Sequence, residues 1–445
     1  MEKLDVLKQK VQDRTAVLGV IGLGYVGLPV ACMFAQAGFS VIGLDVKQER
    51  IGLINQGVSP IEGKEPGLVE LLAEVVQAGR LRATLDYRQL EGADVVLIDV
   101  ETPVDEDNRP RYTALRAACC SLGPVMKDGA LVVVESTIAP GTIDGVVRPL
   151  LEESSGKVCG RDFYLGACPE RVMPGKLLAN LRHMSRVCGG SSPEVSDVMV
   201  ALYRHIVEAD LDTADPVTAE LTKTAENAYR DVNIAFANEL ALICEAAGAD
   251  FLRVRELVNK SPGRNVLLAG AGVGGHCIPK DPWLLAYGAG GKVPVRLIPA
   301  ARAVNDGMPA HMVELTAEAL AASGRDLQGA RIAVLGYAYL EDSDDTRNSP
   351  SAAFVEQIKG RGAQVVIHDP WVEGYQGDVR DCLRGSDAAV LMVAHQSYRA
   401  LKPEDFKELL RLPVLVDGRR LFDAGAARAA GLIYRGVGEG VIDKS

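Results

Sequence analysis

The residue types best suited to chemistry gather in the segment GAGVGGHCIPKDPW, which presents Cys277, Lys280 and Asp281 in quick succession. Glycines at positions 270, 272, 274 and 275 let the backbone before the cysteine approach something bulky. A nearby lysine favours the thiolate, which is the nucleophilic form of cysteine. An arbitrary cysteine is more often a buried structural thiol, but these neighbours favour an activated nucleophile.

A second group lies on a segment of helical periodicity, where Lys223, Asn227 and Arg230 occur at i, i+4 and i+7. This spacing places all three on one face of a helix, where they could hold a polar or anionic ligand. A charged face is usually only solvated, but apolar residues lie on both sides of this one, so we expect it to line a partly buried cleft. These flanking residues are Tyr229, Val232, Ile234 and Phe236.

Two more polar segments follow predicted strands. VEST contains Ser136 and Thr137, and CPERVMPG contains Glu170 and Arg171. Residues that follow parallel strands gather at the carboxyl edge of the sheet. We therefore expect these segments to meet there, near the start of the helix that carries Lys223.

The turn GLGYVG, from Gly22 to Gly27, fits the pattern G-x-G-x-x-G. It follows a predicted strand, opens a predicted helix and is followed by Asp45 at the end of the next strand, which is the context of a dinucleotide site. The glycines let the backbone approach a pyrophosphate at the helix N-terminus. Asp45 would bind the ribose hydroxyls and repel a 2′-phosphate, so NAD is favoured over NADP. A tight structural turn is the alternative.

The elements that must position these residues alternate between short β-rich runs and helical stretches from Ala16 onward, which predicts a parallel sheet wound on both faces. No Gly or Pro occurs between Pro216 and Gly248, which predicts one long helix. From Arg331 the pattern of strand, glycine turn, helix and strand repeats. We therefore predict an α/β protein with two Rossmann-like, doubly wound parallel-sheet domains joined by a long central helix.

Composition limits the partners. The 445 residues carry a formal net charge of −11, which argues against nucleic acid or an anionic membrane as the main partner. Nine cysteines lack paired metal spacing, so we predict neither a metal site nor a disulfide framework. The charged first residues lack a signal-peptide core, and no run reaches the roughly 20 apolar residues of a membrane span. We expect a cytoplasmic protein.

Together the motifs resemble those of the UDP-glucose/GDP-mannose dehydrogenase family. GLGYVG, VEST, CPERVMPG, ELTKTAENAYRDVNIAFANE, GVGGHCIPKDPW and SDDTRNSP occur in the family's order, over nearly the whole chain. CPERVMPG and YRDVNIAFANELALIC look most like the branch that oxidises UDP-N-acetylmannosamine or UDP-N-acetylglucosamine. The resemblance implies NAD-dependent, four-electron oxidation of the C6 alcohol of a UDP-N-acetylhexosamine to the uronic acid, with UDP-N-acetylmannosamine as the best match.

The resemblance also implies catalytic roles. Cys277 matches the nucleophile that forms a thiohemiacetal and then a thioester. Lys223 matches the lysine that stabilises the developing alkoxide, and Asn227 its hydrogen-bonding neighbour. Asp281 matches a carboxylate that helps water and proton movement. The remaining two matches are Thr137, which holds an ordered water, and Glu170, the base for the thioester step.

Binding residues are implied in the same way. NAD contacts match Gly22, Gly24, Tyr25, Val26, Gly27, Asp45, Arg50, Thr102, Thr137 and Arg347. Sugar-nucleotide contacts match Glu170, Arg171, Val172, Lys223, Asn227, Arg230, Arg264 and Gly274. Arg264 corresponds, with shifted local spacing, to an arginine donated across a dimer interface. The partners implied are a UDP-sugar and further copies of the chain, as a homodimer or higher homo-oligomer.

The implied domains are an NAD-binding domain at 1–212, a central helical dimerisation and catalytic region at 213–320, and a UDP-sugar-binding domain at 321–445. Two positions depart from the family pattern. Tyr339-Leu340 replaces the usual Phe-Lys of the second nucleotide domain, and Glu101 replaces the usual Pro before Thr102. The first departure means that a lysine contact to the ligand is missing or supplied elsewhere, and the second affects the loop around Thr102.

Several alternatives stay open. The substrate could be UDP-N-acetylglucosamine or UDP-glucose instead of UDP-N-acetylmannosamine. The β-hydroxyacid dehydrogenases combine a similar cofactor fold with a long helix bearing Lys and Asn, but they transfer one hydride and need no cysteine. An NAD-responsive binding protein would need no reactive thiol.

Overall fold

The chain folds into two α/β units, and the structure, a computed structural model, describes residues 2–61, 63 and 65–440. Unit 1 comprises Met1–Glu226 and Trp283–Val293, and unit 2 comprises Asn227–Pro282 and Pro294–Ser445. The division falls inside the long helix that the sequence predicts. The prediction of three domains with the bounds given above stays a prediction.

Unit 1 is built on a sheet of eight strands. They are β1 (Val17–Ile21), β2 (Ser40–Leu44), β3 (Leu81–Thr84), β4 (Val95–Ile98), β5 (Ala130–Val134), β6 (Phe163–Ala167), β7 (Arg186–Gly190) and β8 (Leu211–Ala214). Their order in the sheet is β3-β2-β1-β4-β5-β6-β7-β8. The first six positions follow the order 3-2-1-4-5-6 of doubly wound dinucleotide-binding sheets.

Helices cover this sheet on both faces, which is why its central strands are apolar throughout. Leu18 and Val20 of β1 point into the core on one face, and Ile21 of β1 and Ile98 of β4 point into the core on the other. The helices before the long one are α1 (Glu2–Gln12), α2 (Gly27–Gln36), α3 (Gln48–Asn55), α4 (Leu68–Gln77), α5 (Thr113–Leu122), α6 (Arg148–Ser155), α7 (Leu177–His183) and α8 (Pro193–Tyr203).

One pair of strands departs from the parallel pattern that the sequence predicts. β7 runs antiparallel to β6, whereas the other described pairs of this sheet are parallel. Antiparallel neighbours need no crossover to the opposite edge of the sheet. The segment 168–185, which includes CPERVMPG, therefore begins and ends at the edge where β4 and β5 also end.

Unit 2 has a sheet of five parallel strands. They are β9 (Arg331–Leu335), β10 (Gln364–His368), β11 (Ala388–Leu391), β12 (Val414–Asp417) and β13 (Ile433–Gly436), in the order β10-β9-β11-β12-β13. The short helices of unit 2 are α10 (Phe251–Asn259), α13 (Pro350–Gly360), α14 (Val379–Leu383), α15 (Pro403–Leu409) and α16 (Ala424–Ala429), whereas α11 (Asp281–Gly288) begins in unit 2 and continues into unit 1.

Two long helices complete the fold. α9 spans Pro216–Ala247, the interval without Gly or Pro that predicted it. α12 spans Leu297–Ala322 and was not predicted, because Gly307 and Pro309 lie inside it and such residues usually interrupt a helix. The apolar face of α9 shares a core with α12 in unit 2, through Ala237, Ala241, Cys244, Met308 and Met312.

The predicted fold class is confirmed: two parallel-sheet α/β domains and a long central helix. Among the described residues, no helix combines the length with the apolar character that crossing a bilayer would need.

Candidate active site

The glycine turn after β1 is shaped as the dinucleotide pattern requires. Gly22 has φ +97°, and a Cβ there would lie 2.5 Å from the Asp99 carbonyl oxygen. A Cβ on Gly27, the first residue of α2, would lie 2.0 Å from the Gly22 carbonyl oxygen, whereas one on Gly24 would meet nothing within 4 Å. The turn is thus closely packed beneath and open at Gly24, which fits the approach of a pyrophosphate.

Asp45 anchors this turn. The residue is 5% exposed, and its carboxylate accepts hydrogen bonds from the backbone N–H of Leu23 (3.0 Å) and of Lys47 (3.0 Å). Arg50 Nη1 lies 2.8 Å from Asp45 Oδ2 as an ion pair. The structure brings Asp45 and Arg50 together beside the glycine turn, where the cofactor prediction places them.

The loops after β4 and β5 are bonded to each other. Thr102 is buried and donates a 2.6 Å hydrogen bond to the carbonyl of Thr137, and Ser136 Oγ donates one of 2.6 Å to the carbonyl of Val100. Glu101 points to solvent. The replacement of proline by Glu101 therefore leaves the Thr102 loop held in place.

The segment after β6 carries Glu170, Arg171 and Val172 at the same edge of the sheet. Arg171 Nε donates to Glu226 Oε2 (2.9 Å), and its Nη1 donates to Ser185 Oγ (3.0 Å). Glu226 lies on α9, one turn after Lys223. Arg171 is thus an ion-paired residue that ties CPERVMPG to the long helix within unit 1.

The predicted face of α9 changes from buried to exposed along its length. Lys223 is 8% exposed, Asn227 is partly buried and Arg230 is exposed. Tyr229 and Phe236, expected to wall a cleft, are 74% and 56% exposed. The expectation of apolar walls was therefore wrong for these two residues, because they lie seven positions apart on an outward face of the helix.

The cysteine loop packs closely against the segment after β9, within unit 2. A Cβ on Gly274 would lie 2.5 Å from the Cβ of Tyr339, and Gly275, at φ +89°, donates its N–H to the Arg347 carbonyl (2.9 Å). Asn348 Nδ2 donates to the carbonyl of Gly275 (3.0 Å). The bulky group that these glycines accommodate includes the protein's own Tyr339, and Cys277 follows as an exposed residue.

Asp281 is the buried anchor behind this cysteine. Its backbone N–H donates to the Cys277 carbonyl (2.8 Å), Lys280 Nζ lies 3.0 Å from Oδ1, and Asn227 Nδ2 donates to Oδ2 (2.6 Å). Burial, aided by the charges of Lys280 and Arg347, lowers the pKa of His276, so its imidazole is neutral near pH 7. The neighbourhood of Cys277 is therefore polar, firmly anchored and cationic at Arg347 and Lys280.

Three domains of one known family match the chain in order. The NAD binding domain of the UDP-glucose/GDP-mannose dehydrogenase family matches residues 16–207, its central domain matches 217–307, and its UDP binding domain matches 333–424. The chain belongs to the UDP-glucose/GDP-mannose dehydrogenase family. It is accordingly an NAD-dependent oxidoreductase of the nucleotide-sugar dehydrogenase class.

Its similar relatives share almost the full length. A UDP-N-acetyl-D-mannosamine dehydrogenase of Pyrococcus horikoshii is 40% identical over 423 residues, 95% of this chain and 99% of the relative. One of Yersinia pestis is 37% identical over 413 residues, 88% of this chain and 96% of the relative.

Solved structures are also similar to the chain over nearly its full length. A UDP-D-ManNAc dehydrogenase from P. horikoshii has a TM-score of 0.90 and 39% identity, covering 96% of this chain and 100% of that one. An NDP-N-acetyl-D-galactosaminuronic acid dehydrogenase from Methanosarcina mazei Go1 has a TM-score of 0.87 and 38% identity, covering 99% of this chain and 98% of that one.

Three further positions of the family comparison, Arg347, Arg264 and Leu340, have the following contacts and exposure. Arg347 is ion-paired with Asp345, with Nε 2.9 Å from Oδ1, and this hydrogen bond is the main cause that raises the pKa of Arg347. Arg264 is exposed and donates to the carbonyl of Pro262 (2.9 Å). Leu340, at the position where the family usually has lysine, is 39% exposed.

Glu65 is a residue of this site that the sequence did not reveal. Its carboxylate accepts hydrogen bonds from the backbone N–H of Gly175 (2.8 Å) and of Leu177 (3.1 Å), and from the hydroxyl of Tyr25 in the glycine turn. It thereby joins the cofactor turn to the end of CPERVMPG. Its only sequence signal is an acid before a helix start in KEPGL, which is common.

Proposed function

We propose that this dehydrogenase oxidises C6 of UDP-N-acetylmannosamine to the carboxylate, consuming two NAD per sugar. The observation that carries the proposal is the exposed residue Cys277 on a loop anchored through Asp281 to Lys280 and Asn227. The names of the similar relatives support the acetamido sugar as substrate. The close fit of the glycine turn around Gly22 and Gly27 supports the cofactor.

When bound, NAD supplies the hydride acceptor for both oxidations. The Cys277 thiolate adds to C6 of the intermediate aldehyde and forms a C–S bond, which keeps the aldehyde from leaving between the two oxidations. Loss of the second hydride converts this thiohemiacetal to a thioester. Water then attacks C6, the C–S bond breaks, and the products are the carboxylate and the regenerated thiolate.

The remaining roles follow the family match. Lys223 stabilises the negative charge that develops on the C6 oxygen, and Asn227 donates a hydrogen bond beside it. Asp281 assists proton movement, Thr137 holds the attacking water, and Glu170 accepts a proton from that water. The near-complete burial of Lys223 supports its role, since a lysine in a poorly hydrated place acts more strongly on a charge.

The binding residues proposed for NAD are the glycine turn with Tyr25 and Val26, together with Asp45, Arg50, Thr102, Thr137 and Arg347. Those proposed for the sugar nucleotide are Glu170, Arg171, Val172, Lys223, Asn227, Arg230, Arg264 and Gly274. The contacts of Asp45 with Leu23 and Arg50, and of Thr102 with Thr137, support the first set. The contact of Arg171 with Glu226 supports the second.

We also propose a homodimer or higher homo-oligomer, and a cytoplasmic location. Tyr229, Phe236 and Ile243 form an apolar row at seven-residue spacing on α9, each more than half exposed in the single chain, which supports self-association. The nine cysteines, all within the described residues, form no disulfide, which fits a reducing compartment.

A substrate panel tests the proposal. NADH absorbance is followed with UDP-N-acetylmannosamine, UDP-N-acetylglucosamine, UDP-N-acetylgalactosamine, UDP-glucose and GDP-mannose, with wild type and Cys277→Ser in parallel. We expect the highest kcat/KM with UDP-N-acetylmannosamine and no complete turnover by Cys277→Ser. A clear preference for UDP-glucose, or normal carboxylate production by the serine variant, would contradict the proposal.

A further inference from the structure

Two acidic side chains lie side by side beneath the glycine turn of unit 1. β4 and β5 end in register at Ile98 and Val134, so the next residues, Asp99 and Glu135, are neighbours at the carboxyl edge. Glu135 is 1% exposed, and Oδ2 of Asp99 is buried although the residue as a whole is partly exposed. None of the family assignments above gives either residue a role.

Arg186 balances only one of these two acids. Its Nη1 donates a 2.7 Å hydrogen bond to Glu135 Oε1, and the two side chains are 2% and 0% exposed. Glu135 Oε2 and Asp99 Oδ2 receive no hydrogen bond from any donor in the described chain. An ionised carboxyl is costly to bury without a partner of its own, and it keeps its proton instead.

One further carboxyl, that of Glu170, faces this pair and adds negative charge. Glu170, after β6, repels a charge on Asp99, and Cys168 and Tyr203 surround Arg186, with Tyr203 under the guanidinium at 5.0 Å. Burial, then the charge of Glu135, raises the pKa of Asp99 well above its usual range, while Arg186 opposes that shift.

We propose that Asp99 is a positioning residue that carries a proton and donates it in a hydrogen bond to Glu135, so that the pair forms a singly charged floor beneath the cofactor turn. The proton belongs on Asp99 because Glu135 is the acid already bonded to Arg186. A proton between Asp99 Oδ2 and Glu135 Oε2 also satisfies both buried oxygens at once.

This floor, the pair of Asp99 and Glu135, contacts the glycine turn directly through Asp99. A Cβ on Gly22 would lie 2.5 Å from the Asp99 carbonyl oxygen, and one on Gly27 would lie 2.9 Å from the Asp99 Cβ. Loss of the proton would place a second negative charge below the proposed pyrophosphate site and break the bond between the ends of β4 and β5. The inference rests on the proposed NAD site, and it predicts that NAD affinity falls when Asp99 ionises.

The test is calorimetric titration of the full chain with NAD across a pH series, for wild type and Asp99→Asn. In wild type, Kd should rise by up to about tenfold per pH unit above the pKa of Asp99, since NAD then binds only the protonated fraction. Asn is neutral at every pH and can still donate to Glu135. The variant should therefore bind NAD as wild type does near pH 7 but should not show the alkaline weakening, which is the rise of Kd for NAD at high pH.

Asp94→Asn is the matched control, the same substitution beside the opposite end of β4. Asp94 accepts from Val17 N–H and pairs with Lys10 and Lys127, so this variant should keep the alkaline weakening. If Asp99→Asn does not fold, Asp99→Ser provides a smaller neutral donor for the same comparison.

Equal alkaline weakening in wild type and Asp99→Asn, or a folded variant that binds NAD more than tenfold more weakly near pH 7, would overturn the inference alone. A wild-type chain that binds no NAD at any pH would overturn the proposed function and the inference with it.

Discussion

Asn227 and Asp281 are joined by a hydrogen bond of 2.6 Å between the amide Nδ2 and the carboxylate Oδ2. The bond connects the long helix α9 to the first residue of α11, four positions after Cys277. Asp281 is fully buried and also pairs with Lys280 at 3.0 Å. The carboxylate thus fixes the cysteine loop to the helix that carries two other proposed catalytic residues.

Asp281→Asn should lower both stability and turnover. The substitution would remove the charge of Asp281 from its ion pair with Lys280, which is 7% exposed, and breaking a buried ion pair costs about 3–5 kcal/mol. Thermal unfolding and kcat are the measurements, with Asp86→Asn as a control at an exposed ion pair. An unchanged melting temperature together with unchanged kcat would contradict the anchoring role.

Lys223→Ala should lower kcat about 100-fold or more, as removal of a key electrostatic stabiliser does. Lys223 is buried, so its charge acts in a poorly screened place, whereas Lys260, the residue directly after α10, provides a control with its side chain 64% exposed. Steady-state kinetics of both alanine variants gives the comparison. A loss of less than threefold would mean that Lys223 does not act on the transition state.

Glu65→Ala should raise KM for NAD and for the sugar nucleotide together, with a smaller effect on kcat. The substitution leaves the Tyr25 hydroxyl and the N–H groups of Gly175 and Leu177 without their shared acceptor. The exposed Glu70 on α4 serves for the matched control, Glu70→Ala. A rise in only one of the two KM values would show that Glu65 does not link the two segments.

Gly275→Ala should displace the loop that carries Cys277. Gly275 has φ +89°, and a Cβ there would lie 2.8 Å from the ring of Tyr339, so the loop must move. Gly307→Ala, inside α12 with open space around it, should be neutral or slightly stabilising. Thiol alkylation rate at Cys277 and thermal unfolding report the difference, and equal behaviour of the two variants would refute the packing argument.

Local patterns predicted the parts of the fold that depend on local physics. The bounds of α9 follow from an interval without Gly or Pro, and the turn around Gly22 follows from its position between a strand and a helix. α12 was not predicted because residues such as Gly307 and Pro309 usually interrupt a helix. In the fold, packing of α12 against β12 and α13 outweighs the low helix propensity of these two residues. The antiparallel direction of β7 has no local signal.

The site was predicted residue by residue, but its contacts were not. Asn227 and Asp281 were both singled out, yet 54 positions separate them and no spacing rule pairs them. Glu65 lies 110 positions from Gly175, and its role depends on that distant contact. Tyr229 and Phe236 were expected in a cleft because an apolar helix residue is usually buried, whereas the single chain exposes them.

The most direct test of the account is the number of NADH molecules formed per UDP-N-acetylmannosamine when the sugar nucleotide is limiting and NAD is in excess. A covalent Cys277 pathway to the carboxylate predicts two NADH for each sugar consumed. One NADH per sugar, with the aldehyde as product, would contradict it.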